Sequence, residues 1–325
     1  MPQPELDVVG IGNAIVDVIS HAEDEFLDAH ALPKGGMTLI DDDQANRLYA
    51  AMGPGIESSG GSAANTIAGI ASFGGQTAFI GKIRDDQLGE VFSHDIRSLG
   101  VRFDSLAADE GAATARCLIL VTPDAQRTMN TFLGACIELG PEDVDPSLIE
   151  GAKVTYLEGY LWDPPRAKDA FRKAVEIAHA AGRKVALTLS DAFCVDRYRD
   201  EFRALVAGGV DIVFANEAEL LSLYEVTSFD EGLQAIRGDC EVAALTRGEN
   251  GSVIVSGDAV HVVDAAPVSR LVDTTGAGDL FAAGFLHGYT AGKDLAASGT
   301  LGSLAAAEVI SHFGARPDVP LRALL

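Results

Sequence analysis

Short apolar runs alternate along this chain with longer stretches in which apolar residues recur every three or four positions. The runs VVGIG (8–12), TAFIGKI (77–83), VTYLEGY (154–160), KVALTLS (184–190), DIVFANE (211–217) and EVAALTR (241–247) are bounded by polar or turn residues. Their near-continuous apolar character is that of buried strands. The segments PRAKDAFRKAVEIAHAAG (165–182), EAELLSLYEV (217–226) and TLGSLAAAEVISHF (300–313) read as helices. This alternation predicts an α/β fold with a doubly wound, mostly parallel central sheet flanked by helices.

Two regions break the rhythm. Residues of roughly 14–45 and 101–133 contain alternating patches such as GMTLID and ARCLILVTPDAQRTMNTF, with turn signals PKGG and TPDAQ, which suit antiparallel strands. Both emerge beside the strand ends that carry Asn13 and the Gly60-Gly61 turn, so they are expected to form one small β lid over a site. The segments 1–13, 46–100 and 134–325 are assigned to the larger α/β domain. No internal repeat or low-complexity linker stands out.

A chain of 325 residues that is 47% hydrophobic can bury a large core. Its 24 basic and 48 acidic residues give a net charge of −24, which argues against nucleic-acid or anionic-membrane partners. A polyanionic small ligand can bind only where amides, a cation and local Arg or Lys overcome that field. Cys117, Cys136, Cys194 and Cys240 form no C-x-x-C pair, so they are expected as free thiols in a reduced compartment. MPQPELD has neither a basic nor an apolar leader character, and no uncharged apolar run is long enough to span a bilayer. A cytoplasmic protein, monomeric or homodimeric, is expected.

The chemistry concentrates in Asp273-Thr274-Thr275-Gly276-Ala277-Gly278-Asp279, which leads into the apolar stretch LFAAGFLHGY. Glycines there let backbone N–H groups point into a common hollow, and the unpaired amides of a first helical turn add partial positive charge. Asp279 would repel an anion in that hollow, so its presence suggests that it takes a proton from a group attacking the anion. That combination implies phosphoryl transfer. The alternative is a glycine-rich turn in which Asp279 only caps the helix. Other nucleotide motifs fail: Ile15 stands where a dinucleotide fingerprint needs its third glycine, and Gly81-Lys82-Ile83 lacks P-loop spacing and its Ser or Thr. Lys82 and Arg84 are expected to face solvent near a strand end.

DTTGAGD resembles the C-terminal signature of the phosphofructokinase B (PfkB), or ribokinase, family of carbohydrate and nucleoside kinases. GGSAANTIAGIASFGGQTAFIGKIRDDQLGE, residues 60–90, looks like its N-terminal signature. The likeness covers nearly the whole chain. It implies a ribokinase-like fold, ATP as co-substrate, Mg2+, and a catalytic turn of Gly276, Ala277, Gly278 and Asp279 in which Asp279 is the general base. Asn216 and Glu219 resemble the family's N-x-x-E motif, which holds magnesium-bound water and helps place the phosphates. Read from the residues alone, the pair is an N-cap Asn with an acidic first turn. Thr246 and Gly248 match a turn that approaches the ATP phosphates and ribose, with Arg247 between them at solvent. Asp273 and Thr275, with the backbone near Val309 and Gly314, resemble a monovalent-cation (K+) site of some relatives, although Asp318 stands where those relatives often carry Ser.

For the acceptor, Asn13 and Asp17 leave the first strand together, and a carboxylate there can accept hydrogen bonds from vicinal hydroxyls. Gly60, Gly61 and Asn65 would complete the sugar contacts. The Asn13–Asp17 interval looks like that of adenosine kinases, and Leu133 and Tyr160 resemble the positions that sandwich a base there. Ordinary core packing is the alternative for both. The preferred acceptor is therefore the 5′-hydroxyl of adenosine or a related nucleoside. Fructose, ribose or a keto-deoxy sugar acid is the rival, the last needing a cation for which Arg116 is the candidate. A non-catalytic nucleoside-binding protein is the third reading.

Overall fold

The computed structural model of the protein describes residues 4–124 and 126–325; Met1, Pro2 and Gln3 of the 1–13 segment, and Ala125 of the TPDAQ turn, lie outside the described residues. In chain order the strands are β1 (Leu6–Ile11), β2 (Ile15–His21), β3 (Met37–Leu39), β4 (Gly55–Gly60), β5 (Thr77–Ile80), β6 (Val101–Arg102), β7 (Ala115–Val121), β8 (Arg127–Phe132), β9 (Ala152–Glu158), β10 (Lys184–Thr188), β11 (Ile212–Asn216), β12 (Val242–Thr246), β13 (Ser252–Ser256) and β14 (Ala259–Val263). Nine of them form one sheet in the order β14-β13-β12-β11-β10-β9-β1-β5-β6. It is parallel from β6 to β12 and antiparallel at β13 and β14.

The apolar runs are continuous because both faces of this sheet are buried. Along β11, Ile212 and Phe214 enter the core on one face, while Val213 and Ala215 enter the core on the other. The Ser62–Phe73 and Ala277–Thr290 helices cover the first face, and the Pro165–Ala180 and Glu217–Tyr224 helices cover the second. The helix expected over 300–313 starts earlier, at Leu295, because the Asp294 side chain caps it by accepting from the Ala297 amide at 2.7 Å. Among the described residues no helix is long and apolar enough to cross a membrane.

The remaining strands form a second sheet in the order β3-β8-β7-β2-β4. Its pairing differs from the antiparallel expectation: β2–β4 and β7–β8 are antiparallel, but β2–β7 and β3–β8 are parallel. Strands joined by a hairpin must run antiparallel, whereas strands brought together from distant segments are free of that constraint. Two boundaries differ as well. The sheet takes β4, whose polar GIESSG sequence gives no strand signal, and Val101–Arg102 pairs with the large sheet instead.

An aromatic column fixes the Ala277–Thr290 helix on the large sheet. Phe285 is fully buried, meets Phe214 of β11 edge-on at 5.4 Å, and Phe214 meets Tyr156 of β9 at 6.0 Å. Removing the Phe285 ring deletes both its burial and its edge contact with Phe214. Phe285→Ala should therefore lower the urea unfolding free energy by about 3–5 kcal/mol. A loss under about 1 kcal/mol would mean that the helix is not seated through this column.

Candidate active site

The Ala277–Thr290 helix begins directly after the turn Thr274–Gly276. Gly276 has φ of 78°, and a Cβ there would lie 2.8 Å from Ala315, so the position needs glycine for both backbone and space. The Ala277 amide donates back to the Thr274 carbonyl at 3.2 Å. The next two amides, of Gly278 and Asp279, have no partner among the described residues, as the first turn of a helix requires.

Asp279 does not cap its own helix. Its Oδ1 accepts from Ser62 Oγ at 2.6 Å and its Oδ2 from Asn65 Nδ2 at 3.0 Å. Both donors stand one turn apart at the start of the Ser62–Phe73 helix. This geometry removes the capping alternative. Burial pushes the carboxyl above its ordinary range, while the two hydrogen bonds and the charge of Arg316 oppose the rise. Ser62 is absent from the sequence-derived set, although its place three residues before Asn65 in GGSAAN was the available signal.

Along β2 the period of two puts Val16 and Val18 in the core and turns Ile15 and Asp17 toward a cavity. A Cβ at Gly60 would lie 2.4 Å from an Asp17 oxygen, so the carboxylate rests against β4 only because Gly60 has none. Burial pushes Asp17 up to about 6; Arg316 and Arg127 hold it down and Asp279 pushes it further up. Asn13 is bound at its backbone N–H and its Nδ2 by Glu158, at 3.3 and 2.6 Å. Glu158 also accepts from the Ala63 amide at 2.8 Å, and burial raises it to about 7. Sequence reasoning missed this residue; the clue was a lone carboxylate closing the apolar run VTYLEGY.

A cavity of about 1000 Å³ opens between the two sheets and gathers most of the predicted residues: Asn13, Asp17, Gly61, Asn65, Leu133, Tyr160, Asn216, Glu219, Thr246, Gly248, Thr275 and Gly276–Asp279. Gly60 lies behind Asp17, and Asp273 lies outside the lining. Neither Leu133 nor Tyr160 is a core residue; Tyr160 is 40% exposed, and Phe193, Met37 and Leu39 also present exposed apolar surface to the cavity. Asn216 and Glu219 do form a capping box. The Asn216 side chain accepts from the Glu219 amide at 2.9 Å, while Asn216 N and Nδ2 donate to the two Glu219 oxygens at 2.9 and 2.6 Å. Burial raises the Glu219 carboxyl to about 7.

Several expectations are corrected here. Arg116 points away from the cavity, because its neighbours Cys117 and Ile119 hold the cavity face of β7. Its guanidinium bonds Asn46 Oδ1 at 2.6 Å on the opposite face. Lys82 is not a solvent residue; it pairs with Asp143 at 2.6 Å with both side chains largely buried. Arg247 is half-buried, paired with Glu217 at 3.2 Å and stacked 4.2 Å over Phe229. Apart from these corrections, Asp273 pairs with Arg127 from β8. The same carboxylate accepts from Thr275 N, Thr275 Oγ1 and Gly314 N at 3.0, 2.6 and 3.1 Å. Burial alone would raise it, but these bonds and the arginine hold it below its ordinary range.

Comparison with known proteins agrees with this arrangement. Residues 55–322 match the pfkB family of carbohydrate kinases. The structure of an adenosine kinase from Sinorhizobium meliloti is 55% identical, with TM-score 0.91 over 98% of each chain. That of a probable sugar kinase from Rhizobium etli CFN 42 is 52% identical, with TM-score 0.92 over 99% of this chain and 98% of that one. The adenosine kinase of Saccharomyces cerevisiae is 28% identical over 96% of both chains. With both signatures, the cavity between the sheets and the GAGD turn in place, the chain belongs to the pfkB family and is a phosphotransferase that acts on a hydroxyl group.

Proposed function

We propose that this enzyme transfers the γ-phosphoryl group of ATP to the 5′-hydroxyl of adenosine or a related nucleoside. One observation carries the choice of acceptor: the cavity that holds Asp17 also holds Tyr160, Phe193, Met37 and Leu39 with much of their apolar surface unburied. A monosaccharide would leave that surface wet, whereas a purine would cover it. The likeness to the S. meliloti and yeast adenosine kinases supports the same reading.

In this reading Asp17 accepts hydrogen bonds from the two ribose hydroxyls, with Asn13, Gly61 and Asn65 beside it. Asp279 takes the proton of the 5′-hydroxyl as its oxygen attacks the γ-phosphorus, and the bond to the bridging oxygen breaks to release ADP. The amides of Gly278 and Asp279 face the charge on the transferring group, joined by that of Ala277 if it gives up its bond to Thr274. Thr246 and Gly248 lie along the ATP side. Both Glu219 oxygens are held by Asn216, so this carboxylate suits a water bound to magnesium rather than the ion itself. Magnesium held through that water by Glu219 would supply charge neutralisation to the ATP phosphates. The small sheet acts as a lid that excludes water from the phosphates.

Asp17 must be charged to accept two hydroxyls, and protonation of a raised carboxyl removes activity as the pH falls. The acceptor kcat/KM should therefore drop about tenfold per unit below about pH 6 and level off above it. Asp17 and Asp279 interact, so the limb belongs to the pair. A profile that stays level down to about pH 5 would contradict the charge assigned to Asp17.

The acceptor itself is tested by kinetics with adenosine and fructose on the wild type and on Tyr160→Ala. A ring lost from the base slot should raise the adenosine KM about tenfold and leave the KM for ATP unchanged. A folded variant with an unchanged adenosine KM, or a wild type that prefers fructose, would reject the nucleoside reading. It would favour instead a monosaccharide acceptor, the second reading supported by likeness to the R. etli probable sugar kinase.

A further inference from the structure

Arg316 has no role in the reaction as written, yet it sits where three parts of the site meet. Its Nη1 donates to the Ala64 carbonyl at 2.9 Å, and its Nη2 donates to the Ser59 carbonyl at 2.9 Å and to Ser59 Oγ at 3.1 Å. Ala64 lies between Ser62 and Asn65, the two residues that hold Asp279. Ser59 precedes Gly60, against which the Asp17 carboxylate rests. The residue before the arginine, Ala315, packs on Gly276 at the catalytic turn. Ser59 is itself fixed from behind, because its N–H and Oγ both donate to one oxygen of Asp95, at 2.8 and 2.6 Å.

From this convergence we infer that Arg316 is a positioning residue, which holds the acceptor carboxylate Asp17, the donors to Asp279 and the catalytic turn in one fixed arrangement. A planar guanidinium suits the task. Its rigid fork reaches carbonyls on two separate elements at once, which a lysine ammonium cannot do with the same fixed directions. The charge contributes as well. Arg316 lies close enough to Asp17 and Asp279 to oppose the rise that burial imposes on both. The other charged groups around these carboxylates are Arg127, which also favours the charged form of Asp17, Asp95, which faces Arg316, and Glu158, which feels Asp279. Burial lowers the guanidinium to about 10, and Asp95, Asp17 and Asp279 counter that loss, so it stays charged at neutral pH. Fork and charge therefore make separable predictions.

The inference rests on Asp279 as base but not on the identity of the acceptor, so the assays use whichever acceptor the wild type phosphorylates. Arg316→Lys keeps the charge and loses the fork. It should lower kcat by about ten- to a hundredfold through misplacement, with the acid limb of the kcat profile unmoved. Arg316→Met loses both, so the same drop in kcat should come with an acid limb at higher pH, because a carboxylate deprived of its cation holds its proton longer. Thermal melting and circular dichroism of each variant establish that the measured population is folded. Wild-type kcat in Arg316→Lys overturns the positioning role, whether or not Arg316→Met folds. A folded Arg316→Met with the wild-type limb overturns the electrostatic part. Asp279→Asn, measured alongside, separates these failures from a failure of the base assignment: if it turns over like wild type, the base reading falls.

Discussion

Like charges held close together in a buried place resist being charged at all, and this site contains Asp17, Asp279 and Glu158 around one cavity. Burial pushes all three carboxyls up, and Asp279 adds to the rise of Asp17 and of Glu158. A base needs some of that rise, since a carboxylate at its ordinary pKa is a weak acceptor of a hydroxyl proton. Too much would leave it protonated and inert. Arg316 and hydrogen bonds from Ser62 and Asn65 oppose the rise on Asp279, and Arg316 and Arg127 oppose it on Asp17.

The scaffold explains how such groups stay in place. The parallel sheet buries both faces, so its strand ends are rigid platforms, and Asn13, Glu158 and Asn216 all stand at or just beyond those ends. Glu158 satisfies Asn13 and the Ala63 amide together, and thereby joins the first strand exit to the helix that holds Asp279. The small sheet contributes Asp17 from β2 and the Arg127 charge from β8. The buried Arg127–Asp273 pair ties that sheet to the base of the GAGD turn. The Asp17 carboxylate and the GAGD turn are therefore both linked to the small sheet through Arg127.

Legibility in the sequence followed the range of each interaction. The strands of the large sheet, the GAGD turn and the Asn216–Glu219 box are written in local spacing, and local spacing can be read directly. Ser62 and Glu158 act through partners 217 and 145 residues away, so the local clues, the GGSAAN spacing and a carboxylate in an apolar run, do not name those partners. Arg316 is the extreme case: it lies in an irregular segment near the C-terminus and works on residues more than 250 positions upstream. The second sheet was recognised as β structure but not in its pairing, because β4 is polar and parallel pairs leave no turn to read. Arg116 illustrates the reverse error. A cation in a strand of the small sheet reads as available to substrate, but the alternation along β7 puts it on the other face.

The proposed phosphoryl transfer depends on Asp279 acting on the hydroxyl proton rather than merely ordering the turn. The direct measurement is single-turnover phosphoryl transfer by Asp279→Asn, with ATP binding determined on the same preparation. The amide keeps the shape and can still bond Ser62 and Asn65, so the fold and the ATP affinity should persist while the transfer rate falls by about two to four orders of magnitude. A transfer rate within about tenfold of wild type, with ATP bound as tightly, would contradict the assignment and leave Asp279 a structural tie between two helices.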